Sequence, residues 1–377
     1  MKEGERKPLK ARMYLWGLSL LPHIGSITIK RLVAGMGSEE TAFDANVEDL
    51  KAYGGLSAAK AEAVVKARSS LDLIGEWERL TQRQGVGVVT WLDRDYPQRL
   101  LEIYDPPPVL YYRGSLGCLD GPTVAIVGRR RARPRGVGWA KRLGRALGAA
   151  GITVVSGLAM GIDAAAHEAS LETGKTAAVL GTGLDVVYPK YNRQLYGDIP
   201  SSGVLISPFP LGTRPQRGNF PARNRIISGL SSAVIVVEAG ERSGALITAM
   251  MAVEQNRDVY AVPGDPADSG AAGPNRLIQE GAKLIMGPED VLEELCLSGQ
   301  LKLPLEEPGK GRSPEASSRA ADSTTQELLR ILASPLHVDE IAGMTGLPVS
   351  VINSSLVKLE LAGLVEQLAA GVFQRVS

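Results

Sequence analysis

Only two cysteines, Cys118 and Cys296, and three histidines, His23, His167 and His337, occur in 377 residues. That scarcity excludes a disulfide framework, and no spacing among them suits a structural zinc site. Two cysteines also fit a reducing compartment. Aromatic residues are sparse at 5%, with four phenylalanines and four tryptophans, so each placed beside a cation draws notice. An excess of one charge is missing too. Basic side chains number 42 and acidic ones 41, a formal net charge of +1. With no basic field over the whole protein, a polyanion site must come from local clustering. No apolar run approaches the ~20 residues of a membrane helix. Residues 1–7 are not followed by the apolar core of a secretory signal. These absences predict a cytoplasmic protein without membrane insertion.

Hydrophobic residues at 44% and charged residues at 22% are ordinary for globular domains. The length suggests two or three of them. Residues 1–80 read as short helices. Leu21-Pro22-His23-Ile24-Gly25-Ser26-Ile27-Thr28 resembles a helix–hairpin–helix turn, and Gly54-Gly55-Leu56-Ser57 repeats it weakly. Such turns can offer backbone N–H groups to phosphate, but packing geometry explains them equally well. From 81 to 298, strand-like and helix-like segments alternate. Apolar runs at 124–127, 152–155, 177–180, 204–206, 234–237 and 259–262 are separated by helical stretches such as 138–149 and 245–255. Residues 86–113 read as an extension on the sheet edge. Repeated βα units predict an α/β fold: an extended Rossmann-like, doubly wound and mostly parallel sheet. Residues 299–323 are a polar linker rich in Pro and Gly. Residues 324–377 read as a winged helix–turn–helix. Its recognition helix, 349–361, carries only Lys358 as a cation, beside Glu360. That face suits protein contact as well as DNA contact.

Val124-Ala125-Ile126-Val127 ends at Gly128, and Arg129, Arg130, Arg131, Arg133 and Arg135 follow. Five arginines in seven residues at the carboxyl end of a strand, where open α/β sheets bind ligands, point to a polyanion. Glycine-rich turns recur at 157–161, 181–183, 239–240 and 263–264, all expected on that same edge. They let a ligand approach backbone N–H groups. The turn Gly128-Arg129-Arg130-Arg131-Ala132-Arg133 is not G-x-G-x-x-G, and no G-x-x-x-x-G-K-[ST] occurs. Nicotinamide chemistry and P-loop hydrolysis thus lack support. Asp163 and His167 share a helix face. They read as an acid–base pair or, with no nucleophile or ligand partner evident, as scaffold. Phe220-Pro221-Ala222-Arg223-Asn224-Arg225 puts an aromatic beside two arginines. Phe220 fits a base-stacking platform for single strands, or a core residue at the helix start.

Together these motifs resemble the DNA-processing protein A (DprA/Smf) family. They are Ser156-Gly157-Leu158-Ala159-Met160-Gly161-Ile162-Asp163 with His167, and Val179-Leu180-Gly181-Thr182-Gly183-Leu184-Asp185 with Tyr188-Pro189. The stretch Phe220–Ser231 is highly specific, as is Glu238-Ala239 followed by Ser243-Gly244-Ala245-Leu246-Ile247-Thr248-Ala249. Val262-Pro263-Gly264 and Gly273-Pro274-Asn275-Arg276-Leu277-Ile278 complete the set. The match is strong over 86–297 and looser outside it.

The resemblance implies a single-stranded DNA-binding protein without catalytic residues, metal or cofactor. It also implies a homodimer through the Rossmann domain and help in loading the RecA recombinase during natural transformation. DNA contacts carry over to Gly128, Arg129 and Arg130, to Phe220, Arg223, Asn224 and Arg225, and to Arg242, Ser243 and Gly244. Arg129 stands where the family usually has Ser or Thr, losing a hydroxyl and gaining a charge. Arg129, Arg130, Arg223 and Arg225 are expected to neutralise phosphates and Phe220 to stack on a base. The rival is a nucleotide-cleaving N-glycosidase of the lonely-guy type, whose P-G-G-x-G-T is replaced here by Glu238-Ala239-Gly240-Glu241-Arg242-Ser243-Gly244. A third class, a transcription regulator acting through 324–377, requires sequence-specific duplex binding.

Overall fold

The computed structural model describes residues 9–297, 328–345, 364–369 and 372–375, with Ile352, Ser355, Leu356 and Leu359. The chain divides into two units, Met1–Leu303 and Pro304–Ser377.

The first unit opens with six helices: α1 (Leu9–Leu20), α2 (Ser26–Met36), α3 (Glu39–Phe43), α4 (Val47–Ala52), α5 (Ala58–Ser69) and α6 (Leu73–Thr81). Polar side chains start several of them. Ser38, Asn46 and Asp72 each accept a backbone N–H of the first turn, and Asn46 and Asp49 form a reciprocal capping box. Strand β1 (Gly87–Thr90), helix α7 (Gln98–Leu101) and strand β2 (Val109–Gly114) come next. The alternating part then runs β3 (Thr123–Val127), α8 (Pro134–Ala149), β4 (Thr153–Ser156), α9 (Ile162–Leu171), β5 (Thr176–Val179), α10 (Arg193–Ser202) and β6 (Val204–Ser207). It continues with α11 (Asn219–Gly229), β7 (Ala233–Val236), α12 (Gly244–Glu254), β8 (Asp258–Ala261), α13 (Ala272–Gln279), β9 (Lys283–Leu284) and α14 (Pro288–Leu297).

The sheet order is β1-β2-β6-β5-β4-β3-β7-β8-β9. Pairs from β6 to β9 are parallel, and the edge pairs β1/β2 and β2/β6 are antiparallel. The expected doubly wound sheet is therefore present, and the 86–113 extension supplies its two antiparallel strands. Because β3 is buried on both faces, its side chains from Val124 to Val127 are all apolar rather than alternating with polar ones. Val124 and Ile126 pack with Leu143, Leu147 and Ala166 on one face. Ala125 and Val127 pack with Ile226, Ile227 and Ala249 on the other. The chain winds outward from β3 to β6, then crosses back to β7 on the opposite side of β3. That reversal opens a crevice at the carboxyl ends of β3, β4 and β7.

Helix α8 begins at Pro134, earlier than the 138 expected from apolar spacing. Proline at the first helical position loses no intrahelical bond, so the arginine-rich turn leads straight into the helix. The amino-terminal helices share a core with the sheet. Leu15, Ile29 and Leu32 belong to the cluster that contains Tyr111 and Leu205. Trp16 Nε1 donates to the Tyr111 hydroxyl at 2.8 Å inside it.

In the second unit, β10 (Leu336–His337), α15 (Val338–Thr345), β11 (Val365–Ala369) and β12 (Val372–Arg375) form a three-stranded sheet, ordered β10-β12-β11, with a helix. Leu328, Leu332, Ile341, Ile352, Leu356, Leu359, Val365 and Phe373 make its core. The strands expected around 364–366 and 372–375 pair as a hairpin. The linker 299–323 and most of the proposed recognition helix, Lys358 and Glu360 included, lie outside the described residues. Among the described residues, no helix is long and apolar enough to cross a membrane.

Candidate functional site

A cleft of about 250 Å³ lies in the crevice. Gly128, Arg129 and Arg130 border it from the turn after β3, Ala159 from the β4–α9 turn and Asp163 from the first turn of α9. Phe220, Arg223 and Asn224 reach it from α11, and Ser243 and Gly244 from the start of α12. Eight of the ten sequence-derived site residues thus converge; Arg225 and Arg242 do not line it.

Phe220 is half-buried at the start of α11. The Arg130 guanidinium lies 5.2 Å from its ring centroid, within cation–π range. Tyr188 lies 5.7 Å away, tilted by 43°. This surface therefore offers a π-face and a fixed charge together. Asn224 Nδ2 donates to Gly244 O at 3.3 Å, which ties α11 to the first turn of α12. Backbone N–H groups at that helix start, with the positive end of its dipole, border the cleft.

Arg223 corrects the sequence expectation. It is buried at 4% exposure rather than sited at the rim. Its Nη1 donates to the carbonyls of Gly157 and Val179, joining the ends of β4 and β5. A Cβ at position 157 would collide with that guanidinium, so a larger residue there would have to displace the buried Arg223 side chain. The charge is balanced by buried Asp163, whose carboxylate accepts from Gly157 N at 3.2 Å and Ala159 N at 3.4 Å. Burial pushes the Asp163 carboxyl above its ordinary value, and the Arg223 guanidinium opposes that rise. Burial also lowers Arg223, to about 10. His167, on the next turn of α9, has Nδ1 2.6 Å from Thr176 Oγ1. Burial and then Arg223 push its pKa down to about 3, so it stays neutral near pH 7. Asp163, at the wall of the cleft, and His167 thus make their hydrogen bonds within the fold.

Asn192, unremarked in the sequence, completes this frame. Its Nδ2 donates to Leu158 O at 2.9 Å and Ala159 O at 3.2 Å. Leu158 between them has φ +53, a strained value for a branched side chain. Asp163 and Asn192 hold the loop in that shape from two sides. Gly161, at φ +80, has the carbonyls of Arg129 and Arg130 where a Cβ would lie, so the β3 and β4 turns touch through backbone.

The arginine run is partly neutralised from within. Glu238, at the end of β7, is 6% exposed and accepts Arg133 N at 3.0 Å, placing an internal anion at the start of α8. Its Oε1 also lies 3.5 Å from Arg129 Nη1, close enough for attraction. Arg133 Nη1 pairs with Asp268 at 2.6 Å. Arg130, Arg131 and Arg135 are exposed and form no ion pair among the described residues. Arg225 turns away from the cleft, and its guanidinium bonds to the carbonyl of Asp105 and pairs with its carboxylate at 3.4 Å. All three acids lie over a hundred positions from their partners, beyond any local sequence pattern.

Residues 87–296 match the family model of DNA recombination-mediator protein A, and 312–371 match the DprA winged helix domain. Protein Smf of Synechocystis sp. is 37% identical over 392 residues, spanning 96% of this chain and 98% of that one. The X-ray structure of DNA processing protein A from Streptococcus pneumoniae superposes with a TM-score of 0.67 at 38% identity, over 76% of this chain and 98% of that one. The DNA processing protein A structure from Helicobacter pylori, solved for its unique single-stranded DNA binding mode, gives 0.53 at 30% identity, over 58% and 98%. With a family model over more than half of the chain and 37% identity over nearly the whole length of a Smf protein, this chain belongs to the DNA recombination-mediator protein A family, the DprA/Smf proteins.

Proposed function

We propose that the chain binds single-stranded DNA without sequence preference, protects incoming strands and loads a RecA recombinase onto them in the cytoplasm during natural transformation, with no catalysis of its own. The carrying observation is the Phe220 ring at the cleft with Arg130 and Tyr188 packed beside it. A single strand offers unstacked bases to such a ring and phosphates to the cation, whereas a duplex hides its base faces. Exposed Arg130, the backbone at Gly128 and the first turn at Gly244 are the phosphate partners in this reading. The Helicobacter pylori relative, named for binding single-stranded DNA, supports it. Binding rather than turnover fits the engagement of Asp163 and His167 in the scaffold. Filter binding of oligothymidylate against duplex of equal length tests the proposal. We expect the single strand to bind tighter by tenfold or more, about 1.4 kcal/mol. Equal affinity for the two, or tighter duplex binding, refutes it.

The same reading includes a homodimer. Helix α12 buries small residues, Ala245, Ala249 and Ala252, against the sheet. It presents Ile247, Met250 and Val253 outward at 40%, 62% and 68% exposure. An apolar row at this spacing forms a continuous stripe along one side of a helix. Sedimentation of the full chain should show a dimer that Met250→Glu shifts toward monomer. A strict wild-type monomer at tens of micromolar, roughly −6 kcal/mol on the affinity scale, removes this part of the proposal.

A further inference from the structure

We propose that the turn 188–193 continues the strand-binding surface beyond Phe220, with Tyr191 as a second base-stacking platform and Lys190 and Arg193 as its phosphate partners. This inference rests on the single-strand reading and extends it by naming where the strand goes next. Tyr191 is 86% exposed, the most exposed large hydrophobic among the described residues. The backbone that carries this ring is fixed. Neighbouring Asn192 is 5% exposed and donates to two carbonyls of the β4–α9 loop. Asn192 N also donates to Pro189 O at 3.1 Å, closing a short 3₁₀ turn over Lys190–Asn192. The backbone is thus anchored to the loop that borders the cleft while the Tyr191 ring projects into solvent.

The turn is also continuous with the known aromatic surface. Tyr188 is 39% exposed and packs against Phe220. Three residues of chain reach at most about 11 Å, so Tyr191 stands within a nucleotide or two of Tyr188. Charge points the same way. Lys190 and Arg193 flank the ring and are exposed. Arg193 opens α10, whose first turn holds no acid, the reverse of the charge a helix start prefers. The nearest carboxylate upstream, Asp185, faces Arg83 at 3.7 Å. An exposed ring with a cation on either side in the chain, a few residues from a first ring beside a cation, repeats the stacking-plus-phosphate pattern of single-strand sites.

The test measures how affinity grows with length, using oligothymidylates of about 6 and about 20 nucleotides, which bracket most of the ~4–16 that one such site covers. Wild type should gain affinity from the short to the long strand. Tyr191→Ala should cut that gain by about five- to hundredfold, one lost stacked base, and Tyr191→Phe should retain it. Melting temperatures identify any variant that fails to fold. A photoreactive thymidine placed along the long strand should crosslink to Tyr191 in the folded wild type. An unchanged gain in Tyr191→Ala without a crosslink overturns this inference alone, and so does an equal loss on both lengths. Changed sedimentation of Tyr191→Ala with the length gain intact assigns the ring to a protein contact and also overturns it. A wild type that binds neither length overturns the single-strand reading and this inference together.

Discussion

Arg223→Met should lower the stability of the protein by about 3–5 kcal/mol, the effect of removing one partner from a buried ion pair. The guanidinium is 4% exposed and bonds to the carbonyls of Gly157 and Val179. Its loss leaves two buried acceptors unmatched, and Asp163 without its opposing charge. The raised pKa of Asp163 already records the strain that burial puts on its ionised form, so the carboxyl should take up a proton in the variant. Neutralising the second partner should recover part of the loss, because the penalty lies in the orphaned charge rather than in missing attraction. Urea melts of the wild type, Arg223→Met and Arg223→Met/Asp163→Asn read this directly. A single variant within about 1 kcal/mol of wild type would show that Arg223 is not the tie between the β4 and β5 turns, since surface changes stay in that range.

Binding variants at the cleft should separate by mechanism. Arg130→Ala should weaken binding and reduce the slope of log K against log salt by about 0.7, one phosphate contact with a single strand. Phe220→Ala should cost about 1–3 kcal/mol with the salt slope nearly unchanged. The 5.2 Å contact between the two adds a constraint. Removing Phe220 also frees the Arg130 guanidinium, so the double variant should depart from additivity by about 0.5–1 kcal/mol, the size of an exposed cation–π contact. Titrations across a salt series decide the matter. Arg130→Ala binding like wild type at every salt would refute its phosphate role. A large drop in melting temperature for Phe220→Ala would make that residue core instead.

The sheet was legible because its determinants are local. The buried run at 123–127 and the glycine after it locate the central strand and its binding end. Strands β4 to β8 lie within about two residues of where their apolar runs predict, the ordinary boundary uncertainty, whereas the two-residue β9 had no such run and was not expected. The burial of Arg223 was not anticipated, although helical phase carried the signal. Arg223 precedes Ile226 and Ile227 by three and four positions, and both are buried. That spacing puts it on the inner face of α11, while Arg225 falls on another. Composition alone suggests two equivalent arginines beside Phe220, and periodicity separates them. The pairing of Arg129 with Glu238 and of Arg133 with Asp268 was not legible, because strand order rather than spacing brings those residues together. A count of five arginines therefore overstates the free charge at this turn.

The frame beneath the cleft bears on selectivity. Leu158 keeps its strained φ because Asp163 and Asn192 grip the residues around it, and Arg223 fastens the same loop to β5. A platform fixed at folding does not reshape itself around one base in preference to another. The ordering entropy of association then falls mainly on the flexible strand. Under the proposed single-strand reading, indifference to nucleotide sequence becomes a mechanical consequence of the scaffold: a stiff seat accepts any flat ring laid on it.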